Sequence, residues 1–359
     1  MDDESMVDTR LMDNDPVVAM GTTEATARAA LRSKEECAQY VSRFWTEQYL
    51  ETFIAQGGSK IKFLTGAAES GKSACLRHYL SDAAASGYKT TFISGKGTWL
   101  HDFRDIYAAI FSSIDFEGCM RACANQVIEA MGYDQSDIPE GMRFVDFLQM
   151  TGSLDPLTKR EIRAQLSRLF FENRNIDSNF AIASALITSG YLGYPALESE
   201  SEEQLLRWLW GDKGVRVASL RRLGLSPSRI TRQNARHMLY SLLEVVRLAG
   251  FAGIAVAVDN LEMLAETSVL EEIRYTKMRR EDAYESIREL IDGIDALGYF
   301  IIVFAMDASL LEDETRGLKS YQALWMRIQN EISSSRVNRF ADIIDLNKVA
   351  RQLEGAEHE

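Results

Sequence analysis

Residues 61 to 73 read IKFLTGAAESGKS, a short apolar run, a loop of small residues and then Lys-Ser opening a helical pattern. Few stretches constrain a fold more. Gly66, Ala67, Ala68, Glu69, Ser70, Gly71, Lys72 and Ser73 fit the spacing G-x-x-x-x-G-K-[ST], with Ala74 entering the helix behind them. A small-residue loop between strand and helix can wrap its backbone N–H groups round phosphates. The helix N-terminus adds partial positive charge, Lys72 reaches the β and γ phosphates, and the Ser73 hydroxyl offers an oxygen to Mg²⁺. The run YKTTFIS (88–94) reads as a second strand after a helix that ends near Gly87. Strand, loop, helix, strand implies a parallel sheet with a right-handed crossover.

A phosphate loop that hydrolyses needs carboxylates as well. GIAVAVDNLEML (253–264) reads as a buried strand ending in Asp259 at its carboxyl edge, where open α/β sheets bind ligands. Asp259 is the candidate for the Mg²⁺ shell together with Ser73. Glu262, three residues on, is the candidate general base for the attacking water. YFIIVFAMD (299–307) is another buried strand, ending in Asp307. In P-loop ATPases with an extra strand between the two nucleotide motifs, that place holds a polar sensor of the γ-phosphate. Asp307 carries two readings here, such a sensor or the N-cap of the next helix. ADIIDL (341–346) is a last short strand.

Charge that builds on the γ-phosphoryl oxygens calls for an arginine. Arg316, just after the sensor strand, is the first candidate; Arg327 and Arg279–Arg280 are the runners-up. The stretch 213–236 gathers Lys213, Arg216, Arg221, Arg222, Arg229, Arg232 and Arg236 against Asp212 alone. It reads either as a track for a DNA backbone or as a basic loop in an acidic protein.

The net charge of −13 over 359 residues argues against nucleic-acid binding through overall charge. With 46% hydrophobic residues and 5 prolines the chain can bury a substantial core. Four cysteines, Cys37, Cys75, Cys119 and Cys123, read as buried free thiols; Cys119 and Cys123 lie one helical turn apart with no second pair at zinc spacing. The acidic start MDDESMVD is unlike a signal peptide, and no apolar run reaches the length of a membrane helix, so a cytoplasmic protein without membrane attachment is expected. The expected organisation is a mobile segment over 1–22, helices over 23–58, and the first half of the ATPase core over 59–118. A helical insertion over 119–250, the second half of the core over 251–346 and a tail over 347–359 complete it.

GGSKIKFLTGAAESGKSACLRHYL, LLRWLWGDKGVRVASLRRLGL, NARHMLYSLLEVVRLAGFAGIAVAVDNLEML and RGLKSYQALWMRI resemble the ATP-binding proteins of BREX-type phage-defence systems, the BrxC/BrxD-type AAA+ family. The resemblance runs from about Ala29 to Leu346. It implies an AAA+/ASCE-like P-loop fold, ATP and Mg²⁺, a homo-oligomer, and partners of helicase, nuclease or methyltransferase type. Lys72 and Ser73 match the family's phosphate-loop residues, and Asp259 and Glu262 its metal and catalytic carboxylates. The chain departs from the family in Ala-Ala-Glu-Ser inside the loop, which puts Glu69 near the phosphates, and in leaving little or no room for a C-terminal helical lid.

The expectation is an α/β P-loop ATPase with a large helical insertion, coupling Mg-ATP binding or hydrolysis to a DNA-associated complex in anti-phage defence. DNA contact is expected through Arg216, Arg221, Arg222, Arg229 and Arg232. Two other readings share the core: a nucleotide-gated scaffold with little turnover, and a DNA-binding regulator of transposition or replication-loader type.

Overall fold

The computed structural model describes residues 33–268, 272–329 and 338–356. The segment 1–22, read above as mobile, and the first ten residues of the 23–58 helices lie outside the described residues. Helix α1 (33–45) runs into a π-helical stretch, Thr46–Ile54, which ends before the Gly57–Gly58 break. Strand β1 (Ser59–Gly66), helix α2 (Lys72–Ala85) and strand β2 (Tyr88–Ser94) follow.

Eight helices then separate β2 from the next strand: α3 (Phe103–Ser113), α4 (Phe116–Ala130), α5 (Phe144–Met150), α6 (Pro156–Phe171), α7 (Ser178–Leu192), α8 (Ser199–Trp210), α9 (Val217–Leu220) and α10 (Ala235–Leu248). Their boundaries are chemically marked. Asp102, Asp115, Asp155 and Asp177 each accept backbone N–H bonds at an N-terminus, and Gly193 and Gly211 close α7 and α8 in the left-handed conformation.

The chain re-enters the sheet with β3 (Gly253–Asp259), crosses α11 (Lys277–Asp292), and adds β4 (Phe300–Asp307), α12 (Ala308–Glu312), α13 (Gln322–Ile328), β5 (Ile343–Asp345) and α14 (Leu346–Ala356). The stretch 347–359, read as a tail, thus carries a helix through Ala356. Leu346, which opens that helix, and Val349 are buried on the sheet.

All five strands are parallel, in the order β2-β3-β4-β1-β5. The last long strand in the sequence, β4, therefore lies between β1 and β3. Alternation in β4 shows how the layers form: Ile301, Val303 and Ala305 face α1, α2 and α14, while Phe300, Ile302, Phe304 and Met306 face the larger helical layer. Every residue of β3 is buried, the pattern of a central parallel strand covered on both faces. The four cysteines are free and buried, and burial raises the thiol pKa of Cys119 to about 11 and of Cys123 to about 12, which fits inward faces of a helix. Among the described residues no helix is long and apolar enough to cross a membrane.

Candidate functional site at the carboxyl edge of the sheet

Because the strands are parallel, their carboxyl ends share one edge. Register fixes what meets there: Gly66 at the end of β1 lies opposite Asp307 at the end of β4, and Ser94 at the end of β2 opposite Asp259 at the end of β3. The loop after β1 turns into α2 through Gly71, whose φ of +97° is the left-handed region that glycine enters freely. Glu69 sits in the same region, at φ +60°, with its side chain exposed. A Cβ on Gly66 would fall 2.4 Å from Ser70 Oγ, so a larger residue there would have to displace the Ser70 side chain. The Ser70 hydroxyl is buried without a hydrogen-bond partner.

Lys72, the first residue of α2, points back under the loop. Its ammonium donates to Asp307 Oδ1 at 2.7 Å, to the Ala67 carbonyl at 2.7 Å and to the Gly66 carbonyl at 3.5 Å. The Ser73 hydroxyl donates to Asp259 Oδ2 at 2.6 Å. The other Asp259 oxygen accepts the Asn260 N–H at 2.8 Å. Glu262 accepts from the Asn260 side-chain amide and from the Asp307 N–H, both at 3.3 Å. Burial raises the Glu262 pKa above its ordinary 4.5, and the nearby Asp307 charge adds to the rise; hydrogen bonds, first that from its own N–H, offset part of it.

Lys72, Ser73, Asp259, Glu262 and Asp307 are therefore one connected cluster. The two readings of Asp307 separate here. It is the residue before α12, but its side chain makes no capping bond and turns to Lys72 instead.

The arginine candidates are placed elsewhere. Arg316 donates to the carbonyls of Ala265 at 2.9 Å and Glu266 at 3.2 Å, tying down the loop after Glu262. Arg327 pairs with Asp292, and Arg279 lies over the Trp99 ring. Arg280 is buried on α11. Among the described residues no arginine side chain bonds to the five-residue cluster. In the basic stretch, Arg232 pairs with Asp282 at 2.8 Å and Arg236 with Glu289, partners supplied by α11 and far away in sequence. Arg216, Arg221, Arg222 and Arg229 remain exposed.

Asn260 is the residue that sequence reasoning missed. Its φ of +61° turns the chain at the end of β3, its amide nitrogen holds Glu262, and its amide oxygen accepts from Ser94 Oγ at 3.1 Å. The available signal was the Asp-Asn pair closing an apolar strand, since asparagine tolerates the left-handed region.

Ser73 Oγ and Asp259 Oδ2 are two hard oxygen donors at one point, a set suited to Mg²⁺, which takes one or two protein oxygens and fills its octahedron with water and phosphate. Among the described residues no group of three or more His, Cys, Asp or Glu side chains is arranged to hold a metal on its own, so any metal here would complete its shell with water or ligand oxygens.

Fold and site together define a mixed α/β protein, with a five-stranded parallel sheet flanked by helices and a polar cluster at its carboxyl edge. A family model described as BREX system ATP-binding protein BrxC/D matches residues 46–353, and the chain belongs to that family. Neither the curated proteins nor the solved structures compared gave a match.

Proposed function

We propose that this chain is a P-loop ATPase of the AAA+-like kind, which binds Mg-ATP at the 66–74 loop and hydrolyses it to drive assembly or remodelling of a DNA-associated defence complex. One observation carries the reading. The strand order sets β4 between β1 and β3, and at the shared carboxyl edge Lys72 of the loop bonds to Asp307 and Ser73 to Asp259, with Glu262 beside Asp307.

In this reading the loop N–H groups and the α2 N-terminus bind the phosphates. Lys72 spans the β and γ oxygens. Ser73 and Asp259 hold Mg²⁺, which when bound neutralises phosphate charge. Glu262 takes the proton of the attacking water; its raised pKa makes it a better base than a solvated glutamate. Asn260 and the Asp307 N–H aim the carboxylate without a cation that would weaken its basicity. Asp307 stands at the γ-phosphate end of the extra strand.

Arg316, bonded within its own chain, serves the loop after Glu262. A neighbouring copy would supply the missing positive charge, which makes homo-oligomerisation part of the reading. The exposed Arg216, Arg221, Arg222 and Arg229 are its DNA-facing side, and helicase, nuclease or methyltransferase-type proteins its partners.

The test is Mg²⁺-dependent ATP turnover with and without duplex DNA. Wild-type turnover should fall by about 10²- to 10³-fold in Lys72→Ala and by about 10²- to 10⁴-fold in Glu262→Gln. Tight ATP binding with no turnover under any of these conditions would select the nucleotide-gated scaffold instead.

A further inference from the structure

We propose, resting on the nucleotide reading above, that Asp307 is a charge lock on Lys72 that sets the site's preference between nucleoside diphosphate and triphosphate.

An ammonium has three N–H donors. Those of Lys72 meet Asp307 Oδ1, the Ala67 carbonyl and the Gly66 carbonyl, so a phosphate oxygen reaches this nitrogen only by displacing one of them. Lys72 is 8% exposed, so water screens the pair weakly from its side. The Asp307 side chain is 28% exposed and forms the open side of the pair. Its place is set by backbone register, because Asp307 lies directly opposite Gly66 across the β1–β4 ladder. Its carboxylate is not used to cap α12. It therefore occupies the lysine as a phosphate oxygen would.

The charge count sharpens the consequence. Asp307 stands beside Glu262, whose Oε2 accepts the Asp307 N–H at 3.3 Å, and among the described residues no arginine bonds to either. A third phosphate enters the ground shared by Lys72 and these two carboxylates. There it must take the lysine from Asp307 and also face its negative charge. A diphosphate meets Lys72 through its β oxygens alone, stops short of the two carboxylates, and draws otherwise on the loop N–H groups and the α2 N-terminus, to which the Asp307 side chain makes no bond. Asp307 is thus a positioning residue acting through Lys72, and it penalises the triphosphate more than the diphosphate.

Asp307→Asn keeps the size and a hydrogen-bond acceptor for Lys72 while removing the charge; Asp307→Ser removes the charge with a smaller side chain. Calorimetric titration of the full chain and both variants with Mg-ADP and with a non-hydrolysable Mg-ATP analogue reads the effect. The analogue should bind each variant at least about tenfold more tightly than wild type, and ADP no more than about threefold more tightly. A purely structural role moves both nucleotides together, so equal shifts, no shift or weaker analogue binding overturns the lock. Loss of turnover without tighter analogue binding also overturns it, in favour of a sensor that touches the γ-phosphate. If wild type binds neither nucleotide, the nucleotide reading itself fails and the lock falls with it.

Discussion

The Ser73 hydroxyl donates to Asp259 across 2.6 Å, joining two residues 186 positions apart in the chain. One is the last residue of the loop pattern and the other ends a strand on the far side of β4. The bond places two metal-suited oxygens together. Ser73→Ala should therefore weaken nucleotide binding about tenfold or more in Mg²⁺ and much less in chelator. Titration of ATP under the two conditions checks this; equal weakening in both would remove Ser73 from the metal site.

Glu262→Gln should lower turnover about 10²- to 10⁴-fold while leaving ATP binding intact. It should also stabilise the protein near neutral pH by about 1 kcal/mol, as relief of a strained functional group commonly does. The sign follows from burial. The folded pKa of Glu262 lies above its unfolded value, so its favourable contribution is complete below the unfolded pKa and is lost as pH rises through the folded one. Melting curves should show the variant's gain at pH 7 and none below about pH 4.5. In the wild type the acid limb of turnover should lie above the range of an ordinary glutamate, and this limb should be missing from the residual rate of the variant.

Glu69 holds φ +60° with an exposed carboxylate at the phosphate loop. A non-glycine residue in that conformation costs about 1–2 kcal/mol. Glu69→Gly removes both strain and charge, and should tighten ATP binding without loss of melting temperature. Weaker binding in the glycine variant would show that the carboxylate has a positive role.

Gly253 starts β3 at φ +148°, where a Cβ would lie 2.1 Å from the Tyr299 carbonyl. The same carbonyl accepts the Ile254 N–H that begins the β3–β4 pairing. Gly253→Ala should destabilise the fold by about 3 kcal/mol. Chemical denaturation measures it, and a change under about 0.5 kcal/mol would contradict the close approach.

Arg221 and Arg222 are exposed at the end of the short α9 turn. If the insertion carries the DNA-facing side, Arg221→Ala/Arg222→Ala should lower DNA affinity across sequences and reduce the salt slope by about 2, with ATP affinity unchanged. Unchanged DNA binding would remove this face from the proposal.

Local chemistry made much of the fold legible. The strand over 88–94 and the helix after Gly71 follow from apolar periodicity and from glycines at the turns. The parallel sheet followed from strand, loop and helix spacing, and the family from the residues round the loop and before Asp259. Partnerships were not legible. Arg232 and Arg236 were set in sequence against Asp212 alone, yet they pair with Asp282 and Glu289 because α11 packs against the end of the insertion. Asn260 was passed over because its value lies in a left-handed turn that only the folded backbone displays.

By itself the sequence determined on what local element each candidate residue stands, because strand period, glycine turns and helix starts depend on neighbours within a few positions. Only the tertiary structure decided which of them meet. Strand order and register put Asp307 rather than an arginine against Lys72, and the packing of the loop after α12 turned Arg316 onto the Ala265 and Glu266 carbonyls. The Lys72–Asp307 contact rests on pairing between β1 and β4, more than two hundred residues apart, and no local pattern encodes between which strands a late one will insert.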